Sequence, residues 1–293
     1  ARDGDTPTLV VKDRKSKCSW GHPVQHKGVN DYALGKLVED LNNLGYKKVV
    51  LKSDQEPAIV ALCRQAKANF QGEVVPEASP KGESQSNGEI ERAVQAIEGQ
   101  ARTLKEHLEQ KAGWEIKENS PILMWLIEHA GTLINLFHVG VPHDGKTAYQ
   151  RIRGRKWTVA LPQFGEAVEF KRKTNQKLDV RWERGVFLGV KESTTEKIVG
   201  NAGGTYTVQS VRRLPLEQQF SAELLQTIVG LPWKPNPKAE GADIPDATRV
   251  RILPECPEIP RQPVMTEKKE YAMRRFYLTK TDLEKHGYTP GCP

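Results

Sequence analysis

The sequence predicts an α/β layered domain followed by a small all-β module and a proline-rich tail. Three features predict it. Strand-like β-branched runs alternate with helix-like runs as far as about residue 137. The texture changes to short β runs after Gly154, and prolines recur at 232, 235, 237, 245, 254, 257, 260 and 263. Alternating strands and helices build layered α/β domains, several short strands in succession build sandwiches or barrels, and dense proline marks an extended linker.

Thr8 to Lys12 is a short β-branched run, Asp13 to Lys17 a polar turn and Cys18 to Val24 a return, so the chain opens as a hairpin. Gly28 and Asn30 then open a helix. In it Ala33, Leu34, Leu37, Val38, Leu41 and Leu44 recur at three and four residue spacing, and Gly45 is placed to end it. Lys47 to Lys52 has the length and branching of a buried strand and delivers the chain to Ser53 and Asp54. Pro57 suits a first helical turn, and that helix runs to about Ala68. Glu73 to Pro76 is another short strand. Ser79 to Gly88 is rich in glycine and serine, has no apolar anchor and is expected to be mobile.

From Glu89 a long helix carries Ile90, Val94, Ile97, Ala101, Leu104 and Leu108 at spacings of four and three. A second, Pro121 to Phe137, is apolar around most of its circumference and should pack on several sides. In the β module, strands are expected at Ala167 to Phe170, Gly185 to Val190 and Thr205 to Val211, with Gly203 and Gly204 in a turn. Beyond the prolines, a small ordered element is expected at about Tyr271 to Gly287, where Thr281 and Glu284 have capping-box spacing. These changes divide the chain into a core at 1–113, a helical connector at 114–156, a β module at 157–220, a linker at 221–270 and a terminal element at 271–293.

Composition narrows the function. No window approaches the ~18 to 20 apolar residues of a membrane span, and the N-terminus lacks a signal-peptide layout, so the expected compartment is intracellular. Cys18, Cys63, Cys256 and Cys292 show no C-x-x-C spacing and read as reduced thiols. Cys18, His22 and His26 are spaced by four, but Pro23 interrupts them and no fourth ligand follows, so no zinc site is expected. The net charge of +7 is uneven. Residues 1–150 carry 19 Lys and Arg against 20 Asp and Glu, residues 151–220 carry 14 against 7, and residues 221–293 carry 11 against 10. A basic block attached to a near-neutral domain suits a polyanion-binding module; an ordinary basic solvated surface is the alternative.

Two acids stand out. Asp54 lies at the C-terminal tip of a strand, where ligand-binding residues of open α/β sheets gather. Glu91 lies in the first turn of the long helix, at the rim of its apolar stripe. Two such carboxylates can share Mg²⁺ for phosphoryl transfer. The plainer alternative makes Asp54 a cap for the helix at Pro57 and Glu91 an acid favoured by the helix dipole.

The words around both acids are each weak signals, and their specificity lies in the ordered combination. Leu51-Lys52-Ser53-Asp54-Gln55-Glu56 resembles the second-aspartate strand of retroviral and retrotransposon integrases, and Ser84-Gln85-Ser86-Asn87-Gly88-Glu89-Ile90-Glu91-Arg92 resembles their loop and G-x-x-E helix start. Between Asp54 and Glu91 lie 36 residues, near the spacing of the D,D-35-E family. Thr132-Leu133-Ile134-Asn135, Lys146-Thr147-Ala148-Tyr149-Gln150, Phe164-Gly165 and Glu183 to Gly189 resemble the later segments of copia-type retrotransposon integrases, in the same order. The resemblance covers about residues 8 to 215. It implies a ribonuclease H-like mixed sheet with flanking helices and a C-terminal basic barrel. It also implies Asp54 and Glu91 as catalytic ligands of Mg²⁺ or Mn²⁺, and double-stranded DNA as partner. Mg-dependent DNA strand transfer, a homo-oligomer on DNA and nuclear action follow with it.

The chain also departs from the pattern. The family's first aspartate precedes the hairpin, whereas here only Asp3 and Asp5 do, in what reads as a turn, so one metal ligand and one strand are expected to be lacking and catalysis impaired. The back of the chain is likewise expected to be cut short. Retroviral relatives grip DNA with lysines where this helix has Gln95 and Glu98; Arg92, Arg102 and Lys105 are the candidate replacements, and Lys81, in the loop that the resemblance implies closes over a DNA end, is a further candidate contact. In the β module, Lys171, Arg172, Lys173, Lys177, Arg181, Arg184, Arg212 and Arg213 are candidate DNA contacts, interleaved with Phe170, Trp182 and Phe187. Trp182 reads as core rather than a stacking platform. The family's His-His-Cys-Cys zinc module is absent. Two other readings are a domesticated, non-catalytic DNA-binding or scaffold domain and a ribonuclease H-like nuclease.

Overall fold

A hairpin needs a turn that satisfies its own polar groups, and Asp13 provides one. In the computed structural model, which describes residues 6–79, 87–140, 144–172 and 181–237, β1 (Thr8–Lys12) pairs antiparallel with β2 (Ser19–Pro23). Asp13 Oδ2 accepts from the Ser16 backbone N–H at 2.7 Å and from the Tyr46 hydroxyl at 3.0 Å. Helix α1 (Asp31–Leu44) starts where the Asn30 side chain accepts from the Ala33 N–H at 2.8 Å. It stops at Gly45, whose φ of 69° is the left-handed conformation that glycine adopts without a Cβ clash. Strand β3 (Lys48–Ser53), helix α2 (Pro57–Asn69) and strand β4 (Glu73–Ala78) form a β-α-β unit with parallel strands.

The mixed α/β layering is present, but among the described residues β1–β2 and β3–β4 are two separate two-stranded sheets rather than one. They share a core nonetheless. Leu34, Leu37, Val38 and Leu41 of α1, Leu62 and Ala66 of α2, Val49 and Val74 of the strands and Phe70 form one buried cluster, against which Leu9 and Val11 of β1 pack. Between β1 and β3 lies a cleft of about 630 Å³, lined along its length by Thr8 to Lys12 on one wall and Val50 to Ser53 on the other.

Helix α3 (Gly88–Ala112) packs on β1 and on α4 (Pro121–Phe137). As its apolar circumference predicts, α4 is enclosed: it contacts α3, β2, the short helix α5 (Ala148–Arg153) and the β module. A Cβ at Gly131 would sit 3.1 Å from the Gly21 backbone nitrogen, so glycine is what allows α4 to lie directly on β2.

The β module is a five-stranded antiparallel sheet of β5 (Ala167–Lys171), β6 (Trp182–Val190), β7 (Lys197–Asn201), β8 (Gly204–Val208) and β9 (Val211–Arg213), in the order β8-β7-β6-β5-β9. Strand β7 carries too weak an alternation to be read from sequence. The expected run Thr205 to Val211 is two strands, because β8 pairs with β7 and β9 pairs with β5 at opposite ends of the sheet. Val186 and Leu188 share a buried cluster with Leu108, Ile122, Trp125 and Leu126, fusing this sheet to α3 and α4. The chain then returns through α6 (Ala222–Gln226), and Trp125 Nε1 donates to the Gly230 carbonyl at 2.8 Å, so the front of the proline-rich stretch is packed. The described residues all belong to one compact unit. The expected element at Tyr271 to Gly287, with Cys256 and Cys292, lies outside the described residues.

An enclosed helix must pair its charged side chains. Glu128 Oε1 accepts from Lys36 Nζ at 2.8 Å and lies 3.5 Å from His22 Nδ1, while His22 Nε2 donates to Asp40 Oδ2 at 2.8 Å. Burial disfavours a charged imidazole, but Asp40 and Glu128 outweigh it and raise the His22 pKa to about 9. Burial likewise opposes the Glu128 carboxylate, but Lys36 and His22 hold its pKa at about 2. One turn from the helix end, buried Asn135 accepts from the Ser19 N–H at 2.8 Å and donates to Glu192 at 3.0 Å, tying β2, α4 and the β module together.

A raised His22 pKa stabilises the fold fully below the imidazole's ordinary 6.5 and loses that contribution as pH rises through about 9. Thermal unfolding should therefore come at a lower temperature at high pH than near neutrality. His22→Gln should flatten that dependence while costing about 3–5 kcal/mol, the usual result of orphaning a buried charged partner; a wild-type midpoint insensitive to pH across this window would refute the charged pair. Asn135→Ala should cost about 1–3 kcal/mol in denaturant unfolding, because it leaves the Ser19 N–H buried without a partner.

Candidate functional site

The parallel strands β3 and β4 end side by side, Ser53 opposite Ala78, and the next residues keep the two tips together. The Ser79 N–H donates to the Ser53 carbonyl at 2.9 Å, and Gln55 Nε2 donates to the Ser79 carbonyl at 3.0 Å. Ser79 Oγ then donates to Asn87 Oδ1 at 2.7 Å. That last bond bridges residues 80–86, which lie outside the described residues together with Lys81, and it brings the start of α3 to the strand tips. The hairpin turn reaches the same place, since Arg14 Nε donates to Glu89 Oε2 at 2.8 Å and Lys17 lies 3.3 Å from its other oxygen. Arg14 and Lys17 hold the Glu89 carboxyl below its ordinary pKa.

Asp54 stands exposed just beyond the β3 tip, and its Oδ1 accepts from the Glu56 N–H at 3.2 Å. It lines the cleft between β1 and β3. On α3 the residues that line the cleft are Glu89, Ile90 and Val94, while Glu91 is exposed and is not among them. Each helical residue turns about 100°, so Glu91 shares a stripe with Gln95, Glu98 and Arg102 rather than with Glu89. Arg92 and Arg102 are exposed, and Lys105 pairs with Glu109 at 2.8 Å. Among the described residues no three or more His, Cys, Asp or Glu side chains are gathered to hold a metal ion.

The sulfur and imidazoles spaced by four go separate ways. Cys18 is buried with Trp20 and Ala148, His22 belongs to the α1–α4 charge network, and His26 is exposed. The sequence reading of a plain strand missed the role of His22, because its partners Asp40 and Glu128 come from two distant helices.

The basic residues of the β module divide between two faces. Side chains alternate along a strand, and the cross-strand register sets Lys171 opposite Trp182 and Glu169 opposite both Arg184 and Arg212. Lys171, Arg184 and Arg212 are exposed on this face, and Arg184 also reaches Gln218 at 2.8 Å. Arg172 points to the other side, pairing with Glu183 at 3.0 Å and lying over the Tyr206 ring. Arg213 does likewise, its Nε and Nη2 donating to the fully buried carboxylate of Glu166 at 2.6 and 2.8 Å. Arg181 is exposed at the start of β6, while Lys173 and Lys177 lie outside the described residues. Trp182, expected in the core, is only half-buried and stands apart from the cluster of Val168, Phe170, Phe187, Val199 and Val208. The Arg212 guanidinium carbon lies 3.7 Å from its ring centroid.

No protein-family profile and no curated protein matches the chain. Among solved structures, a chain of the cryo-EM structure of the simian T-cell lymphotropic virus intasome in complex with PP2A regulatory subunit B56 gamma matches it at 13% identity. The TM-score is 0.34, over 74% of this chain and 77% of that one. A likeness this distant fixes neither the fold nor the function. No helix among the described residues is long and apolar enough to cross a membrane.

Proposed function

We propose that the chain is the integrase portion of a copia-type retrotransposon polyprotein, binding double-stranded DNA and holding part of a strand-transfer site on a ribonuclease H-like core. The observation that supports the reading is that β3 ends at Asp54 and the Ser79–Asn87 hydrogen bond brings the first turn of α3 to the same sheet end, with Glu91 in that turn but exposed outside the cleft. The integrase-like words of the sequence fall on these two elements. Binding would rest on the outward face of the β module, where three cations stand around one acid, and on Arg92 and Arg102 of α3. On this reading the chain acts in the nucleus, as a homo-oligomer on DNA.

Asp54 and Glu91 would hold Mg²⁺ or Mn²⁺, an ion that neutralises charge on the attacking and leaving oxygens of a phosphodiester. Two acids do not make a complete set, and no third joins them among the described residues. On the family pattern a third acid would come from a strand beside β3, and the cleft between β1 and β3 is where such a strand would lie. Glu91 standing outside the cleft that Asp54 lines favours the second reading, a domesticated DNA-binding or scaffold domain. A stand-alone ribonuclease H-like nuclease has no use for the basic five-stranded sheet.

With a strand bearing an aspartate supplied ahead of the hairpin, and with Mg²⁺ or Mn²⁺ present, the chain should join a short duplex end to target DNA. Asp54→Asn and Glu91→Gln should each lower joining at least about 100-fold. Glu89→Gln is the informative comparison, because a loss there with Glu91→Gln still active would move the second acid to the cleft-lining position. For binding, converting Lys171, Arg184 and Arg212 together to alanine should reduce the slope of log affinity against log salt by about 2 to 3, near 0.9 for each phosphate no longer neutralised; an unchanged slope would place the DNA surface elsewhere.

A further inference from the structure

Large aromatic side chains normally go into a core, and Trp182 does not. It sits at the start of β6 on the outward face of the sheet, directly across from Lys171 and two residues from Arg184 on its own strand. Two strands away, Arg212 crosses Glu169 to lie over the ring at 3.7 Å. An arginine over an indole stabilises a fold modestly by itself. Here the pair shares its face with Lys171 and Arg184, while Arg172 and Arg213, though exposed, are paired with Glu183 and Glu166 on the other.

A flat ring held among phosphate-binding cations is the arrangement by which proteins take unpaired bases. The π-face of any base stacks on an aromatic or guanidinium plane, and neighbouring cations follow the backbone. Duplex DNA keeps its bases stacked on each other and offers such a ring nothing, so the ring adds affinity only where a base is unpaired. We propose that Trp182 and Arg212 form a stacking step for an unpaired nucleobase, so that this face binds single-stranded DNA or the frayed end of a duplex in addition to duplex phosphates. This rests on the nucleic-acid reading above and narrows it: the three cations would set overall affinity, and the ring would set the preference for an unpaired end.

The test uses the full chain with a labelled oligothymidylate and a blunt duplex of equal length, read by fluorescence anisotropy. Trp182→Ala should weaken oligothymidylate binding about 10-fold and change duplex binding by less than about 2-fold. Trp182→Phe keeps a ring and should recover most of the loss, which separates stacking from a disturbed sheet. An equal loss on both DNAs, or no loss on the oligothymidylate, overturns the stacking step while leaving duplex binding by the cations in place. A wild-type chain that binds neither DNA overturns the nucleic-acid reading and the stacking step together.

Discussion

The structure depends on α4 being enclosed without leaving its charges unpaired. The helix lies between the hairpin, α3, α5 and the five-stranded sheet, and Glu128 would be prohibitively placed there without Lys36 and His22. His22 in turn requires Asp40, so two acids and two bases from β2, α1 and α4 close on one another. Asn135 extends the tie by joining the backbone of β2 to Glu192 beyond β6. From α5, Arg151 adds a bond to the Ser16 carbonyl at 3.1 Å. With the hairpin held this way, its turn is in reach of Glu89, and one wall of the cleft beside Asp54 is set.

The parts of this arrangement that were legible in the sequence are those governed by near neighbours. Helix α1 announces both of its ends through Asn30 and Gly45, and α4 is bounded as expected from Pro121 to Phe137 because its composition forces enclosure. The hairpin is equally local, with Asp13 three residues from Ser16. What escaped was fixed by distant partners. Strand β7 exists because β6 and β8 lie on either side of it, and His22 reads as an ordinary strand residue until Asp40 and Glu128 are brought beside it. The acids of the candidate site were found through familiar words around them, but the words do not fix helix phase. That Glu89 rather than Glu91 lines the cleft follows from which side of α3 packs on β1.

Charge along the sequence marks the basic block but not how its residues divide between the two faces of the sheet. Of the positive residues between 151 and 220, Arg213 is spent on Glu166, whose carboxylate is fully buried, and Arg172 on Glu183. What remains on the outward face is a compact set in which Lys171 and Arg184 flank Trp182 and Arg212 covers it. Exposed charges act over about one Debye length, roughly 8 Å at physiological salt. Sidedness therefore matters more for recognition than the total of +7, and it is set by strand register, since a shift of one residue would turn Arg184 inward and Glu183 outward.

The cleft is where fold and chemistry meet. Strands β1 and β3 each pair on one side only among the described residues, and both line the cleft along their length, with Val50 exposed by 59%. Unpaired strand edges and an exposed valine are costly to leave bare. A strand between them would make the two sheets one and cover the core that Leu9, Val11 and Leu51 now share from opposite sides. It would also run beside the β3 tip that carries Asp54. On the proposed integrase reading, the hydrogen bonds that align such a strand would also set the side chains at its end beside Asp54.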